Sequence, residues 1–396
     1  MKLQAPLALP IDDAYRASVR LPSPGIEPGV HEICGTSTGQ AIELERKDYQ
    51  GKSTHLVSVL GRLGGAAGHS LHVHDVTLKG NFAGTNQDKQ RSALIHVAGA
   101  IDAVTMERVH IADSGDGVKF GGSHEAKTDT VQIARNLTMR EVTATRARRG
   151  LLVIQSGAEN IRLEQINTWD MPEGAIDSEA TGTELPGPRT IRIREAVLNT
   201  VSPDGRRPEW GVSLGGAGGG ELALRDCELA SVESDSGLWI RDAVDVRGTD
   251  CHFSSDRHGL QINKAVIDTV FSASSFAGKR LAAKISFHGS ARPERIRFYR
   301  CEFTSDGAYC VTLDSALDVE FVDCIFNCRS TRVAVLVQNQ MEGVQTGRIR
   351  FSGRCETNAD VLVRAEARPG TTIESVSVGS NCVSKSKLLE KQGQVT

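Results

Sequence analysis

The polar and apolar positions of this chain follow one recurring phrase: apolar, any, apolar, two of any, small or apolar, any, apolar. Copies read Leu71-Val73-Val76-Leu78, Val104-Met106-Val109-Ile111, Leu137-Met139-Val142-Ala144 and Ile161-Leu163-Ile166-Thr168. Later ones read Ile191-Ile193-Ala196-Leu198, Leu222-Leu224-Cys227-Leu229, Val246-Gly248-Cys251-Phe253, Ile296-Phe298-Cys301-Phe303 and Val319-Phe321-Cys324-Phe326. Thr269-Phe271-Ser274-Phe276 is a weaker copy, and Ile349-Phe351 opens a degraded one. A second short apolar run follows each phrase, often led by glycine, as in Gly117-Val118-Lys119-Phe120 and Gly259-Leu260-Gln261-Ile262.

Alternation with period two marks strands with one buried face. The phrases recur about every 23 to 33 residues, within the range of solenoid repeats. Short strands separated by turns, with almost no helical periodicity, describe the coils of a parallel β-helix. One coil cannot bury its own apolar face, so the coils must stack. The expected fold is an all-β, single-stranded parallel β-helix of about 11–12 coils. Variable repeat length is then natural, because core strands hold register while loops grow outward.

The repeat divides the chain. Residues 1–30 carry Pro6, Pro10, Pro22, Pro24 and Pro28 and read as an extended N-terminal arm, ordered only if something holds it. Residues 31–382 form the β-helix domain, and 383–396 a charged tail that caps the open end. Polar loops are expected at 61–68, 80–91, 121–130, 179–188 and 202–209. The glycine-rich Gly64 to Gly68 lacks the lysine of a phosphate-binding loop and reads as a solvent turn.

Composition narrows the function classes. With 46 basic and 49 acidic residues and a net charge of -3, the chain has no basic excess to suggest a nucleic-acid partner. No apolar run approaches a membrane span, and no signal peptide is expected, because Pro6, Pro10, Asp12 and Asp13 interrupt the opening residues. Of the nine cysteines, Cys227, Cys251, Cys301 and Cys324 share one inward slot of the phrase. Coils about 4.8 Å apart would stack them into a ladder of small apolar groups. Cys34, Cys310, Cys328, Cys355 and Cys382 fall outside that slot, which leaves room for bridges among them.

Candidate chemistry lies in the outward residues. Aligning the second runs puts Lys119, Ser213, Trp239, Gln261 and Thr312 on one outer face, a column suited to a linear polymer. If Ile176 points inward, Asp177 and Glu179 share a face roughly 7 Å apart, a candidate acid/base pair. Trp169, in Trp169-Asp170-Met171-Pro172-Glu173, Trp239, and Lys264 beside Arg257-His258-Gly259 are candidate ligand contacts. Asp113 and Asp116 suit a turn better than a calcium loop. His72 and His74 alternate outward on one strand, but the sequence places no obvious carboxylate third ligand beside them. No metal and no cofactor are therefore expected.

The segments Asp226-Cys227-Glu228-Leu229, Asp250-Cys251-His252-Phe253, Arg300-Cys301-Glu302-Phe303 and Asp323-Cys324-Ile325-Phe326 resemble the coil repeat of right-handed parallel β-helices. That superfamily includes pectate-lyase-like enzymes and the β-helical spikes and fibres of bacteriophages. The resemblance covers roughly three quarters of the chain and is specific for fold, while activity must be argued from the site. A polygalacturonase-like enzyme would need an Asp-Asp pair and a Gly-His-Gly at successive coils, and neither is found there. The resemblance therefore implies a virion structural protein, a capsid decoration protein, fibre or spike. Such a protein would be homotrimeric, assembled in the host cytoplasm with other virion subunits, and would contact polysaccharide. The alternative is a polysaccharide-active enzyme, a lyase, glycoside hydrolase or epimerase.

Overall fold

The structure is a computed structural model. It describes strand segments 2–4, 19–21, 29–34, 42–45 and 57–60, and residues 69–80, 93–125, 130–179, 185–200, 210–215, 222–231, 235–289, 291–329, 332–339 and 346–395. Most of the expected arm and the loops at 61–68, 81–91 and 202–209 lie outside the described residues. Among the described residues there is no helix, and parallel coils form a β-solenoid of about 10 turns.

The chain forms two compact units, residues 1–208 with 215–220, and residues 209–214 with 221–396. In the first, one parallel sheet contains His69–Lys79, Ala103–Ser114, Ala134–Arg140 with Thr143–Ala147, Ala158–Trp169 and Arg189–Thr200. Its second sheet contains Ala93–Ala98, Asp116–Gly121, Leu152–Gln155 and Ile176–Glu179. The phrase positions align as expected: Leu71, Val104, Leu137, Ile161 and Ile191 stand in one buried file. Two stretches within residues 1–30 join this stack, since Lys2–Gln4 pairs in parallel with Glu32–Cys34 and Val19–Leu21 with Val57–Val59.

The uneven spacing of the phrase has a backbone cause. Two residues, not one, separate its second and third core positions, and the latter of the two is left-handed. Asp75, Arg108, Glu141, Gln165, Asp226, Asp250, Arg300 and Asp323 all have φ between 51° and 54°. The bend turns the chain while keeping both flanking strand halves facing the core. A left-handed conformation costs a non-glycine residue roughly 1–2 kcal/mol, least for Asp and Asn. Other left-handed residues stand just ahead of the first core position, and stacking puts the side chains of both kinds in columns, where they pair. Arg108 binds Asp75, Arg295 binds Asp268, and Asn160 donates to Asn136 at 2.6 Å.

The second unit has the more aromatic core. Phe271, Phe298, Phe321 and Phe351 form one stack with centroids 5.0–5.9 Å apart. Phe253, Phe276, Phe303 and Phe326 form another at 5.2–5.9 Å. Edge-to-face contacts join the two, as between Phe298 and Phe303 at 5.2 Å. The cysteine ladder is present and longer than expected. Cys355 and Cys382, placed outside the slot by sequence, extend it, because Ile325 pairs with Glu356 and Glu356 with Val383. The extra residue Gly353, at φ 63°, lengthens that bend and hides the phrase in the sequence. Off the ladder, the thiols of Cys310 and Cys328 lie 2.6 Å apart, both buried.

At the other end of the chain, the charged tail supplies a strand. Lys387–Gln392 pairs in parallel with Val361–Glu366 and so adds a rung to the stack.

Candidate functional site

The second sheet of the second unit runs Ser236–Arg241, His258–Asn263, Leu281–Ser286, Val311–Asp314 and Val333–Asn339. Its inward residues, among them Leu238, Ile240, Leu260, Ile262 and Ile285, are buried. Alternation sends their neighbours outward, and parallel register stacks those in columns. One column is Trp239, Gln261, Lys284 and Thr312. Beside it stand Arg241, Asn263, Ser286 and Asp314.

Ring contacts fix Trp239. Trp210 packs against it at 5.7 Å between centroids, and the Arg241 guanidinium lies 4.6 Å from its ring centre. Its Nε1 donates to Asn263 Oδ1 at 3.2 Å. Burial, reinforced by Arg280, lowers the pKa of Lys284, with Asp314 opposing. This face therefore combines an oriented aromatic ring with amide, hydroxyl and cationic groups in register. A sugar ring can stack on such an indole while its hydroxyls bond the flanking polar groups. Gly237 closes the corner ahead of Trp239, where a β-carbon would stand 2.7 Å from the Gly259 carbonyl. The glycine that leads these runs answers to that close approach.

Lys264 occupies the bend after this strand, at φ 61°, and its Nζ reaches Asp242 at 3.4 Å. It borders the columns without joining them. Trp169 belongs to the first unit and its other sheet, where its exposed ring stacks on His110 at 5.7 Å. The expected set of Trp169, Trp239 and Lys264 is therefore spread over different elements, and Trp239 alone lies in the column.

Asp177 and Glu179 do point outward from Ile176–Glu179, with Ile176 buried in the core. Asp177 falls in the same file as His96, Lys119 and Val153. Both carboxylates turn toward Arg149, whose Nη2 lies 3.1 Å from Glu179 Oε1 and 3.9 Å from Asp177 Oδ2. The Arg149 Nε is 3.4 Å from Asp116, an ion-pair distance without hydrogen-bond alignment. Asp116 is fully buried, and burial raises its carboxyl pKa despite Arg149 and Lys119. Asp177 is 3% exposed, so the pair reads as one end of an ion cluster bridging coils.

Sequence alignment on leading glycines missed Lys284, because its strand opens Arg280-Leu281-Ala282 with no glycine. In the sequence Arg149 stands in a local basic cluster with Arg146 and Arg148, but in the structure it lies over three acids. Counting back from Ile285 as an inward residue would have found Lys284. No local signal identifies Arg149.

No protein-family model matches the sequence, and no curated protein matches it. Among solved structures, tailspike protein 3 of bacteriophage CBA120 aligns at 12% identity and a TM-score of 0.46, over 93% of this chain and 53% of the tailspike. The chain thus spans about half the length of that protein. The A-module of the Azotobacter vinelandii mannuronan C-5 epimerase aligns at 11% identity and a TM-score of 0.42, over 93% and 88%. PfbA, a surface adhesin of Streptococcus pneumoniae, aligns at 10% and 0.42, over 94% and 86%. These likenesses go no further than the β-helical fold.

Proposed function

We propose that this chain is a virion protein of the spike or fibre type that recognises a linear polysaccharide. The observation that carries the reading is the in-register column of Trp239, Gln261, Lys284 and Thr312, with Trp210 and Arg241 set against the indole. Evenly spaced outward groups on a rigid sheet suit an extended polymer, and the cations favour an anionic one. Some exposed apolar side chains lie on the outer faces of the first sheets, Trp169 and Val197 in one unit, Tyr299 and Ile325 in the other. Those are the faces that a homotrimer would pack against its other copies.

The test is binding of the full chain to an array of neutral and anionic bacterial polysaccharides, with its mass in solution measured by light scattering. The expected result is binding to an anionic glycan that Trp239→Ala abolishes, by a particle of trimeric mass. A monodisperse monomer would count against the virion reading, and binding indifferent to Trp239→Ala would remove the column from the recognition site.

A second reading, a polysaccharide-active enzyme, draws on the Asp116, Arg149, Asp177 and Glu179 cluster, since a buried acid with a raised pKa, such as Asp116, is a mark of active sites. Incubation with the same polysaccharides, followed for chain shortening, unsaturated ends and epimerised sugars, tests it. Turnover lost in Asp177→Asn would support an enzyme, and unchanged polysaccharide would exclude one for those substrates.

A further inference from the structure

His72 and His74 leave the strand His69–Lys79 on its outer face, with Leu71 and Val73 directed into the core. Their rings lie 4.5 Å apart, centroid to centroid. The adjoining coils supply what the local sequence lacks. Register places Glu32 beside His72 on one side and Glu107 beside His74 on the other. The contacts run along the diagonals of this square. Glu32 Oε1 meets His74 Nε2 at 2.7 Å, and Glu107 Oε2 lies 3.6 Å from His72 Nε2.

Three features go beyond a surface ion pair. First, ligand atoms of Glu32, His72 and His74 all lie within 4.8 Å of one another. A tetrahedral metal holding nitrogen and oxygen at about 2.0–2.1 Å spaces its ligands roughly 3.3–3.4 Å apart, so small side-chain rotations would close the set. Secondly, His72 Nε2 is buried and makes no hydrogen bond among the described residues. Thirdly, His74 is oriented from behind. Its Nδ1 binds Asp75 Oδ2 at 2.8 Å, and Arg108 holds Asp75 at 2.6 and 2.9 Å. A carboxylate on the far nitrogen fixes the tautomer and aims the other nitrogen at a metal.

We propose that Glu32, His72 and His74, with Glu107 as fourth ligand, bind one divalent transition-metal ion of the zinc class. Among the described residues, the carboxylates of Glu32, Asp75 and Glu107 outnumber the Arg108 guanidinium, so the site attracts a cation. Imidazole with carboxylate suits zinc and its neighbours better than calcium or magnesium, which prefer all-oxygen shells. The ion would tie three successive coils together, a role separate from glycan recognition. Imidazole must be unprotonated to bind a metal, so affinity falls as pH falls.

The experiment is calorimetric titration of the full, untagged, chelator-stripped chain with zinc, and with cobalt to read coordination by its visible spectrum. One equivalent of zinc should bind, and the cobalt form should show a tetrahedral spectrum. His72→Gln with His74→Gln should abolish both. Asp75→Asn should weaken binding by about 10–100-fold, as lost outer partners do. Absence of zinc binding by the wild-type chain, or binding that survives the double substitution, would overturn the proposal. Circular dichroism of each stripped variant checks folding, and His72→Gln alone serves if the double variant does not fold. His124→Gln, outside the cluster, should bind zinc like wild type; equal loss there would also overturn it.

Discussion

The Phe271 ring lies over Gly248, so that a β-carbon at position 248 would enter the van der Waals shell of ring atoms Cδ1 and Cε1. Gly248 occupies the phrase position that holds Phe271, Phe298 and Phe321 in later coils. It ends the stack by giving its last ring room. Gly248→Ala should therefore destabilise the protein by about 1–3 kcal/mol, the usual cost of overpacking. Thermal melts check this, and adding Phe271→Leu should recover part of the loss.

His258 is buried at a coil corner, where burial first, then Lys284, Arg257 and Arg280, push its pKa down to about 4 from 6.5. The folded chain thus holds His258 neutral while the unfolded chain protonates it. The stability this protects is full above pH 6.5 and falls as pH drops from 6.5 towards 4. Integrated over that window it amounts to at most about 3 kcal/mol. Denaturant melts between pH 8 and pH 4 should show the decline, and His258→Leu should flatten it.

Arg149 neutralises acids that cannot reach water freely. Arg149→Met should cost on the order of 3 kcal/mol, because it takes the nearest cation from the fully buried Asp116. Asp116→Asn in that background should restore part of the stability, as measured by urea unfolding. If Arg149→Met were neutral, the cluster would be a solvated surface network.

The ladder thiols should resist modification. Reaction needs access to the thiolate, all four side chains are buried, and burial also pushes the Cys301 thiol up to about 12. Mass spectrometry after brief alkylation of the native chain should find Cys227, Cys251, Cys301 and Cys324 unlabelled, and all four labelled in urea. Native labelling of any of them would show that its coil opens.

The sequence made the fold legible because stacking repeats one constraint many times. Every inward slot of Leu71, Val104 and Leu137 must be apolar, so the pattern accumulates. The candidate site was less legible for the same reason. Outward residues such as Lys284 obey no repeat, and their neighbours across coils lie some 25 residues away along the chain. Asp75, Arg108 and Asp250 are conspicuous as polar residues inside the phrase, yet their left-handed backbone follows from coil geometry and no local sequence rule demands it. Glu32 and Glu107 were invisible beside His72 and His74, because only parallel register brings them there.

The Trp239 column repeats in position but not in chemistry. A uniform column would hold a polymer equally well after a shift of one coil, and the chain could creep along it. Here such a shift would carry a ring from an indole to the amide of Gln261, and a charge from Lys284 to the hydroxyl of Thr312. Each seating but one mismatches somewhere. If the column holds a polysaccharide as proposed, the irregular order of side chains would act as a ratchet stop, giving a translationally periodic scaffold a single address along its length.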